Sequence, residues 1–168
     1  MYATTIKTPP GPFAIVASDE EVLASGWTDE PETLLPLIGA PLRPTSLTHR
    51  RDLGPLTRAV RDYVAGDVGA IDAVPVAQAA SPFLERAWAE LRRIPAGAPE
   101  TYAQLAARSG NPRAVRAAGS ACARNPTALF VPCHRVVRTG GGLGGFAYGL
   151  GVKRWLLGHE AQAAATAA

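Results

Sequence analysis

The sequence predicts an α/β part followed by a mainly helical part, and three observations predict it. Short apolar or alternating runs around strong turn signals crowd the first 80 residues. Apolar residues at helical spacing dominate the remainder. The charge also changes sign: residues 1–80 hold six Lys/Arg against ten Asp/Glu, a balance of −4, and the rest hold eleven against four, a balance of +7. A basic half joined to an acidic half suggests that one part meets a polyanion. A composition 47% hydrophobic and 18% charged excludes a disordered chain and suits a packed one.

The elements follow in order. Tyr2 to Thr8 and Phe13 to Ser18 flank Pro9-Pro10-Gly11-Pro12, which reads as two strands in a hairpin-like arrangement, and Val22 to Trp27 supplies a third. Pro31 to Thr48 is proline-rich without a clear period and reads as a loop or short irregular helix. Leu56, Val60 and Val64 recur at helical spacing within Leu53 to Val64, and Gly66 stops the run. Ile71 to Val76 reads as a short strand. A boundary falls near Ala77–Ser81, giving domains 1–79 and 80–168.

In the second part, Ser81-Pro82 opens a helix whose apolar face is Phe83, Ala87, Trp88 and Leu91, and the stretch Ile94 to Pro99 ends it. Thr101 caps a short helix, Tyr102 to Arg108, and Ser109-Gly110 makes a tight turn. Asn111-Pro112 then caps a second helix, Arg113 to about Ala123. Two short helices joined by a glycine-containing turn are the pattern of a helix-turn-helix. Arg113, Arg116 and Arg124 are spaced on the second helix by Ala114, Ala117, Ala118, Gly119 and Ala121. A helix faced with small residues can press close to a narrow groove, and an arginine can fill the space left by an extruded base. The alternative is tight packing of alanines against the core. The alanine-rich tail, Ala161 to Ala168, is expected to fray.

Only two cysteines occur, Cys122 and Cys133, so a disulfide framework is not expected and a reduced compartment fits. Met1 to Pro10 lack an apolar signal core, and no apolar run reaches membrane-spanning length. The expectation is a cytoplasmic protein with no membrane partner. With three histidines and no C-x-x-C pair, zinc is not expected. Cys133 stands in Pro132-Cys133-His134-Arg135-Val136, after the apolar run Ala128 to Val131. That run reads as a buried strand ending at Pro132, which has no N–H to donate. A thiol beside an imidazole or cation can be activated as a nucleophile by a lowered pKa. The bland alternative is an inert, buried cysteine.

Taken in order, Ile94-Pro95-x-Gly97, Thr101-Tyr102, Gly110-Asn111-Pro112, Arg116-Ala117, Asn125-Pro126, Pro132 to Val137 and Lys153-x-Trp155-Leu156-Leu157-x-His159-Glu160 resemble the O6-alkylguanine-DNA alkyltransferases. The resemblance is close over 81–161 and looser over the first part. It implies an α/β N-terminal domain with a small antiparallel sheet and a mainly helical, winged-helix-like C-terminal domain. It further implies direct, irreversible transfer of an alkyl group, mainly methyl, from O6 of guanine in duplex DNA to Cys133, with base flipping, one turnover per molecule and no metal or organic cofactor. The partner would be double-stranded DNA containing O6-alkylguanine, met by a monomer. Under this resemblance His134 draws the thiol proton through a water, Glu160 orients His134, Tyr102 donates to N3 of the guanine, and Asn125 braces the cysteine loop. Arg116 would occupy the gap in the duplex, with Arg113, Ala114, Ala117 and Gly119 along the DNA. The carbonyls of Cys133 and Val136 would accept from the exocyclic amine. Phe146, Ala147 and Tyr148 would line the pocket within the glycine-rich loop Gly140 to Gly149.

The chain departs from the family pattern in places. Gly97-Ala98-Pro99-Glu100-Thr101-Tyr102 replaces a common Gly-Glu-x-x-Ser-Tyr, although Thr101 can still cap. Val115 stands where a smaller residue is frequent. Phe146 replaces a common tyrosine, and Tyr148 a frequent glycine, which points to a narrower pocket mouth favouring methyl over benzyl. Two other readings remain: lesion binding without transfer, which the presence of Cys133 disfavours, and a cysteine hydrolase, which leaves the DNA-shaped helix unexplained.

Overall fold

The computed structural model describes residues 1–167. They form two compact units: Met1–Ala79 with Pro126–Phe130, and Ala80–Asn125 with the chain from Val131 onward. A five-residue excursion of the chain therefore belongs to the first unit, although it lies between two elements of the second.

The first unit is built on a four-stranded sheet in the order β3-β2-β1-β4, with β1 at Tyr2–Thr8, β2 at Gly11–Ala17, β3 at Val22–Gly26 and β4 at Thr48–His49. β1 and β2 pair antiparallel from Tyr2↔Ala17 to Thr8↔Gly11, so the turn falls on Pro9-Pro10, which have no ladder N–H to lose. β4 adds to β1 in parallel, which makes the sheet mixed rather than purely antiparallel. That strand lies at the end of the segment expected to be irregular. The rest of the segment contributes a 3-10 helix, Pro31–Leu37, with Leu34 buried. Helix α1, Pro55–Val64, buries Leu56, Thr57, Ala59, Val60 and Tyr63 on one face.

Two expected strands are absent. Between Asp67 and Val74 the chain is a series of turns, with Ala70 N–H to Asp67 O at 3.0 Å and Asp72 N–H to Gly69 O at 3.0 Å. Ile71 and Val74 are buried from those turns, and only Val76 pairs, in a single bridge with Val22. Ala128 to Val131 are likewise fully buried without forming a strand: Leu129 has φ of +75° and turns the chain. Burial drives both runs apolar, and apolarity alone does not fix backbone direction. Both segments protect the open edge of β3, where Val22 N–H donates to Pro75 O at 2.9 Å and Ser25 N–H to Pro126 O at 2.8 Å.

The second unit holds α2 (Pro82–Leu91), β5 (Glu100–Thr101), α3 (Tyr102–Arg108), α4 (Val115–Ala123), β6 (Val136–Val137) and α5 (Leu150–Ala167). Leu84, Ala87, Trp88 and Leu91 form the buried face of α2, with Leu84 in place of the expected Phe83, which is half-buried. The Trp88 indole N–H donates to Ala121 O at 2.9 Å and so ties α2 to the end of α4. β5 and β6 pair in parallel, Glu100↔Val136 and Thr101↔Val137. The alanine-rich tail is helical through Ala167 rather than frayed, and only Ala168 lies outside the described residues. Among the described residues no helix is long and apolar enough to cross a membrane.

Candidate active site and DNA-facing helix

Local sequence positions each functional side chain. Thr101 opens α3 with a reciprocal capping box: its hydroxyl accepts from Gln104 N–H at 3.2 Å, and Gln104 Oε1 accepts from Thr101 N–H at 2.7 Å. Tyr102 is therefore fixed as the first residue of α3, and the two-rung β5–β6 ladder sets that helix start beside Val136. Gly110, at φ +98°, makes the turn to α4 where a side chain would be strained.

α4 begins later than the sequence suggests. Asn111 Oδ1 accepts from Arg113 N–H at 3.1 Å in a side-chain-closed turn, and Ala114 is the helix N-cap. Arg113 thus precedes the helix, and Ala114 marks its start. Arg113 and Arg116 are exposed, Ala114, Ala117 and Gly119 are half-buried, and Val115 is 39% exposed beside Arg116. Only Ala118 and Ala121 are buried on this helix. Its small residues therefore do both things weighed for them: one side packs inward, and the other presents a smooth surface flanked by arginines.

Cys133 is not at a strand end. It begins a 3-10 turn, Cys133–Arg135, after Pro132, and Val136 closes the turn by donating its N–H to Cys133 O. Asn125 braces this region: its Nδ2 donates to Val131 O at 2.7 Å across the neck of the excursion, and its side chain also hydrogen-bonds the thiol. The thiol pKa is pushed up by burial, opposed by the Asn125 bond, the charge of Lys153 and backbone N–H groups. The expected lowering by a neighbouring imidazole or cation is outweighed, and the resting thiol is protonated.

His134 and Glu160 are both fully buried and meet at 2.7 Å, Nε2 to Oε1. Burial holds the imidazole pKa below its ordinary value despite the carboxylate. Glu160 is held at about 2, because His134 and Arg135 outweigh the opposing effect of burial. An ionised Glu160 facing a neutral imidazole places the ring proton on Nε2 and leaves Nδ1 as the acceptor. Nδ1 is buried and has no hydrogen-bond partner among the described residues. Arg135 completes the cluster, with Nε and Nη2 donating to Glu160 at 2.9–3.2 Å and Nη1 to Ile94 O at 2.7 Å.

Above the turn lies the loop that leads to α5. Tyr102 is half-buried and its pKa is raised, first by burial and then by the two cysteines. Gly144, at φ +74°, approaches its ring so closely that a Cβ there would lie 2.6 Å from the phenol oxygen. Phe146 and Tyr148 pack edge to face at 5.7 Å, and burial pushes Tyr148 up to about 12. Ala147 is exposed between them. Val136 is buried, and its carbonyl accepts from Lys153 Nζ at 2.6 Å. The same ammonium reaches Gly145 O at 3.3 Å. Sequence reasoning missed Lys153 and Arg135 as site residues. A signal existed for the first: Lys153 is one of two lysines in an arginine-rich chain.

Fold and site together define a class: a helix-turn-helix unit carrying a buried cysteine backed by an imidazole–carboxylate pair. A family model described as the DNA-binding domain of 6-O-methylguanine DNA methyltransferase matches residues 82–162. Over 158 residues the chain is 36% identical to the methylated-DNA–protein-cysteine methyltransferase of Shigella flexneri, covering 92% of each protein. The constitutive methylated-DNA–protein-cysteine methyltransferase of Bacillus subtilis is 33% identical over 151 residues, with 87% of this chain and 86% of that protein covered. Among solved structures, a Mycobacterium tuberculosis OGT in complex with DNA superimposes with a TM-score of 0.81 at 27% identity, over 97% of this chain and 94% of that one. The chain belongs to the methylated-DNA–protein-cysteine methyltransferase family.

Proposed function

We propose that this protein repairs DNA by moving an alkyl group, mainly methyl, from O6 of guanine in duplex DNA onto its own Cys133, once per molecule. The observation that carries the reading is the buried Glu160–His134 pair next to Cys133, within the segment that matches a DNA-binding family model. Membership of the family and the OGT–DNA complex support duplex DNA as the partner.

In this scheme exposed Arg116 enters the duplex as the modified guanine leaves the stack, with Arg113 and the small residues Ala114, Ala117 and Gly119 against the groove. Chemistry on a base needs that extrusion, because the reacting atom is out of reach inside the stack. The base enters between Tyr102, the Cys133 turn and the loop bearing Phe146, Ala147 and Tyr148. Each carbonyl of the turn named for the exocyclic amine already accepts one bond, Cys133 O from Val136 N–H and Val136 O from Lys153, and each keeps a second lone pair.

The S–C bond forms as the C–O6 bond breaks. The thiol proton passes through a water to His134 Nδ1, and Glu160 steadies the imidazolium that results. The electron pair of the broken bond stays on guanine, and a proton from Tyr102 at N3 makes the departing base neutral. The imidazolium and the phenolate left behind balance each other in charge, and return of that proton to Tyr102 restores both. Asn125 holds the thiol in place throughout. The thioether has no route back to thiol, which makes the reaction stoichiometric.

A short duplex carrying one O6-methylguanine tests this, with intact and peptide masses read after incubation. One methyl per protein on the peptide containing Cys133 is expected, and Cys133→Ala should bind the duplex without transfer. An unmodified protein that still binds would convert the reading to lesion recognition alone, and repeated turnover would point to a hydrolase.

A further inference from the structure

Among the described residues of the second unit, Lys153 is a buried charge that the scheme above leaves without a task and that no carboxylate engages. Besides Cys133, the buried ionisable side chains among its described residues are His134, Arg135, Lys153 and Glu160. His134 and Arg135 both spend their contacts on Glu160, Arg135 with three hydrogen bonds to it. Lys153 has no carboxylate partner among the described residues. It donates to two carbonyls, Val136 O at 2.6 Å and Gly145 O at 3.3 Å, and is fully buried. An ammonium held without a counter-ion costs several kcal/mol of solvation, so a fold retains it when a negative charge forms nearby.

We propose that Lys153 is a positioning residue whose charge supports the negative sulfur of Cys133 while it forms and passes its charge to the base. The geometry places it for that task. It is bonded directly to Val136, the residue that closes the cysteine's own turn. It also reaches the loop carrying Gly145, and its Nζ lies 5.8 Å from the centre of the Tyr102 ring. The titratable groups around it are Tyr102 from α3, Cys122 from α4, and Cys133 and His134 from the turn. On its own helix, Glu160 is already engaged by His134 and Arg135. Burial lowers the lysine pKa, and a thiolate at Cys133 or Cys122 raises it again. Cys133 feels the reciprocal effect. Lys153 keeps its proton throughout: negative charge moves from sulfur to guanine as the S–C bond forms, and the ammonium attends it at both ends.

The inference rests on Cys133 as the acceptor, and the experiment separates the two claims. Lys153→Gln keeps a donor for the carbonyls and drops the charge, whereas Lys153→Arg keeps the charge and alters the hydrogen-bond geometry. Both are made on a Cys122→Ser background so that only one thiol reports. The thiolate ultraviolet absorbance is titrated, and transfer from an O6-methylguanine duplex is timed across the same pH range. K153Q should raise the thiol midpoint by about 1–2 pH units and slow transfer at neutral pH by about 10–100-fold. K153R should hold the midpoint near that of the parent, even if transfer slows. A K153Q profile identical to the parent overturns the proposal. If K153Q does not fold, a K153R midpoint displaced upward by about 1–2 units overturns it equally, since the charge is retained. Methylation of a residue other than Cys133 in the parent would instead overturn the reading of the site itself.

Discussion

Replacing Glu160 by glutamine isolates the buried carboxylate without changing its shape. In the native protein this group is held at about 2, against an ordinary 4.5. A gap of about two and a half pH units, at about 1.4 kcal/mol each, amounts to about 3–4 kcal/mol of stability near neutral pH. The sign follows from the direction of the shift. A carboxyl with a depressed folded value stabilises fully above the unfolded value of 4.5, and that contribution drains away as pH falls toward 2. About 1 kcal/mol should remain near pH 3. The same figure emerges from the contacts, because removing one partner of a buried pair costs about 3–5 kcal/mol and here leaves Arg135 uncompensated. For a chain of this size each kcal/mol moves the melting temperature by about 2–4 °C, so Glu160→Gln should melt about 6–16 °C below the parent near pH 7.5. Thermal melts near pH 7.5 read the size of this contribution. Glu160 raises the His134 value, so in the variant the buried imidazole is depressed further and adds its own loss as pH falls below 6.5, and the carboxylate's contribution is therefore read near neutral pH. Transfer should fall by about 10²–10⁴-fold, because the imidazole loses the group that fixes its proton on Nε2. A gap of under about 3 °C near neutral pH would refute the assignment of Glu160 as an ionised, paired group.

Three further outcomes follow from the same geometry. Arg116→Ala should slow transfer from duplex DNA by about tenfold or more while leaving reaction with free O6-methylguanine within about twofold, and equal losses on both substrates would exclude an extrusion role. Gly144→Ala forces a left-handed residue, φ +74°, and puts a Cβ within 2.6 Å of the Tyr102 hydroxyl, so chemical denaturation should show a loss of about 1–2 kcal/mol. The displaced phenol should slow transfer by about tenfold, and an unchanged rate would show that Tyr102 does not act from this position. On the reading that Tyr148, packed edge to face with Phe146 at 5.7 Å, narrows the mouth of the pocket, methylguanine should react faster than benzylguanine in a rate comparison, and equal rates would sink that idea.

How far the sequence could be read depended on whether a residue's role was set by its neighbours in the chain or by contacts made across the fold. The capped start of α3 was legible because Thr101 and Gln104 bond each other within one turn. The β1–β2 hairpin was legible because two prolines can only sit at its tip. Ala128 to Val131 misled, because burial on all sides produces the same apolar run in a strand and in the turn that Leu129 makes. β4 was invisible, since two residues pairing in parallel leave no period to detect. The site divides along the same line. Cys133, His134 and Glu160 were named from the motif, and the structure brings His134 to Glu160 across 26 residues. The state of the thiol was misjudged: sequence adjacency suggested activation by the imidazole, whereas the imidazole is turned to Glu160 and burial decides the thiol's rest state. Charge is countable from a sequence, but cancellation is not. Eleven cations after residue 80 look alike until Arg135 is seen spent on Glu160, while Lys153 donates only to carbonyls. That distinction arises only where the β5–β6 ladder and α5 close around one turn, and it is there that the fold holds a buried ammonium on two carbonyls, Val136 O and Gly145 O.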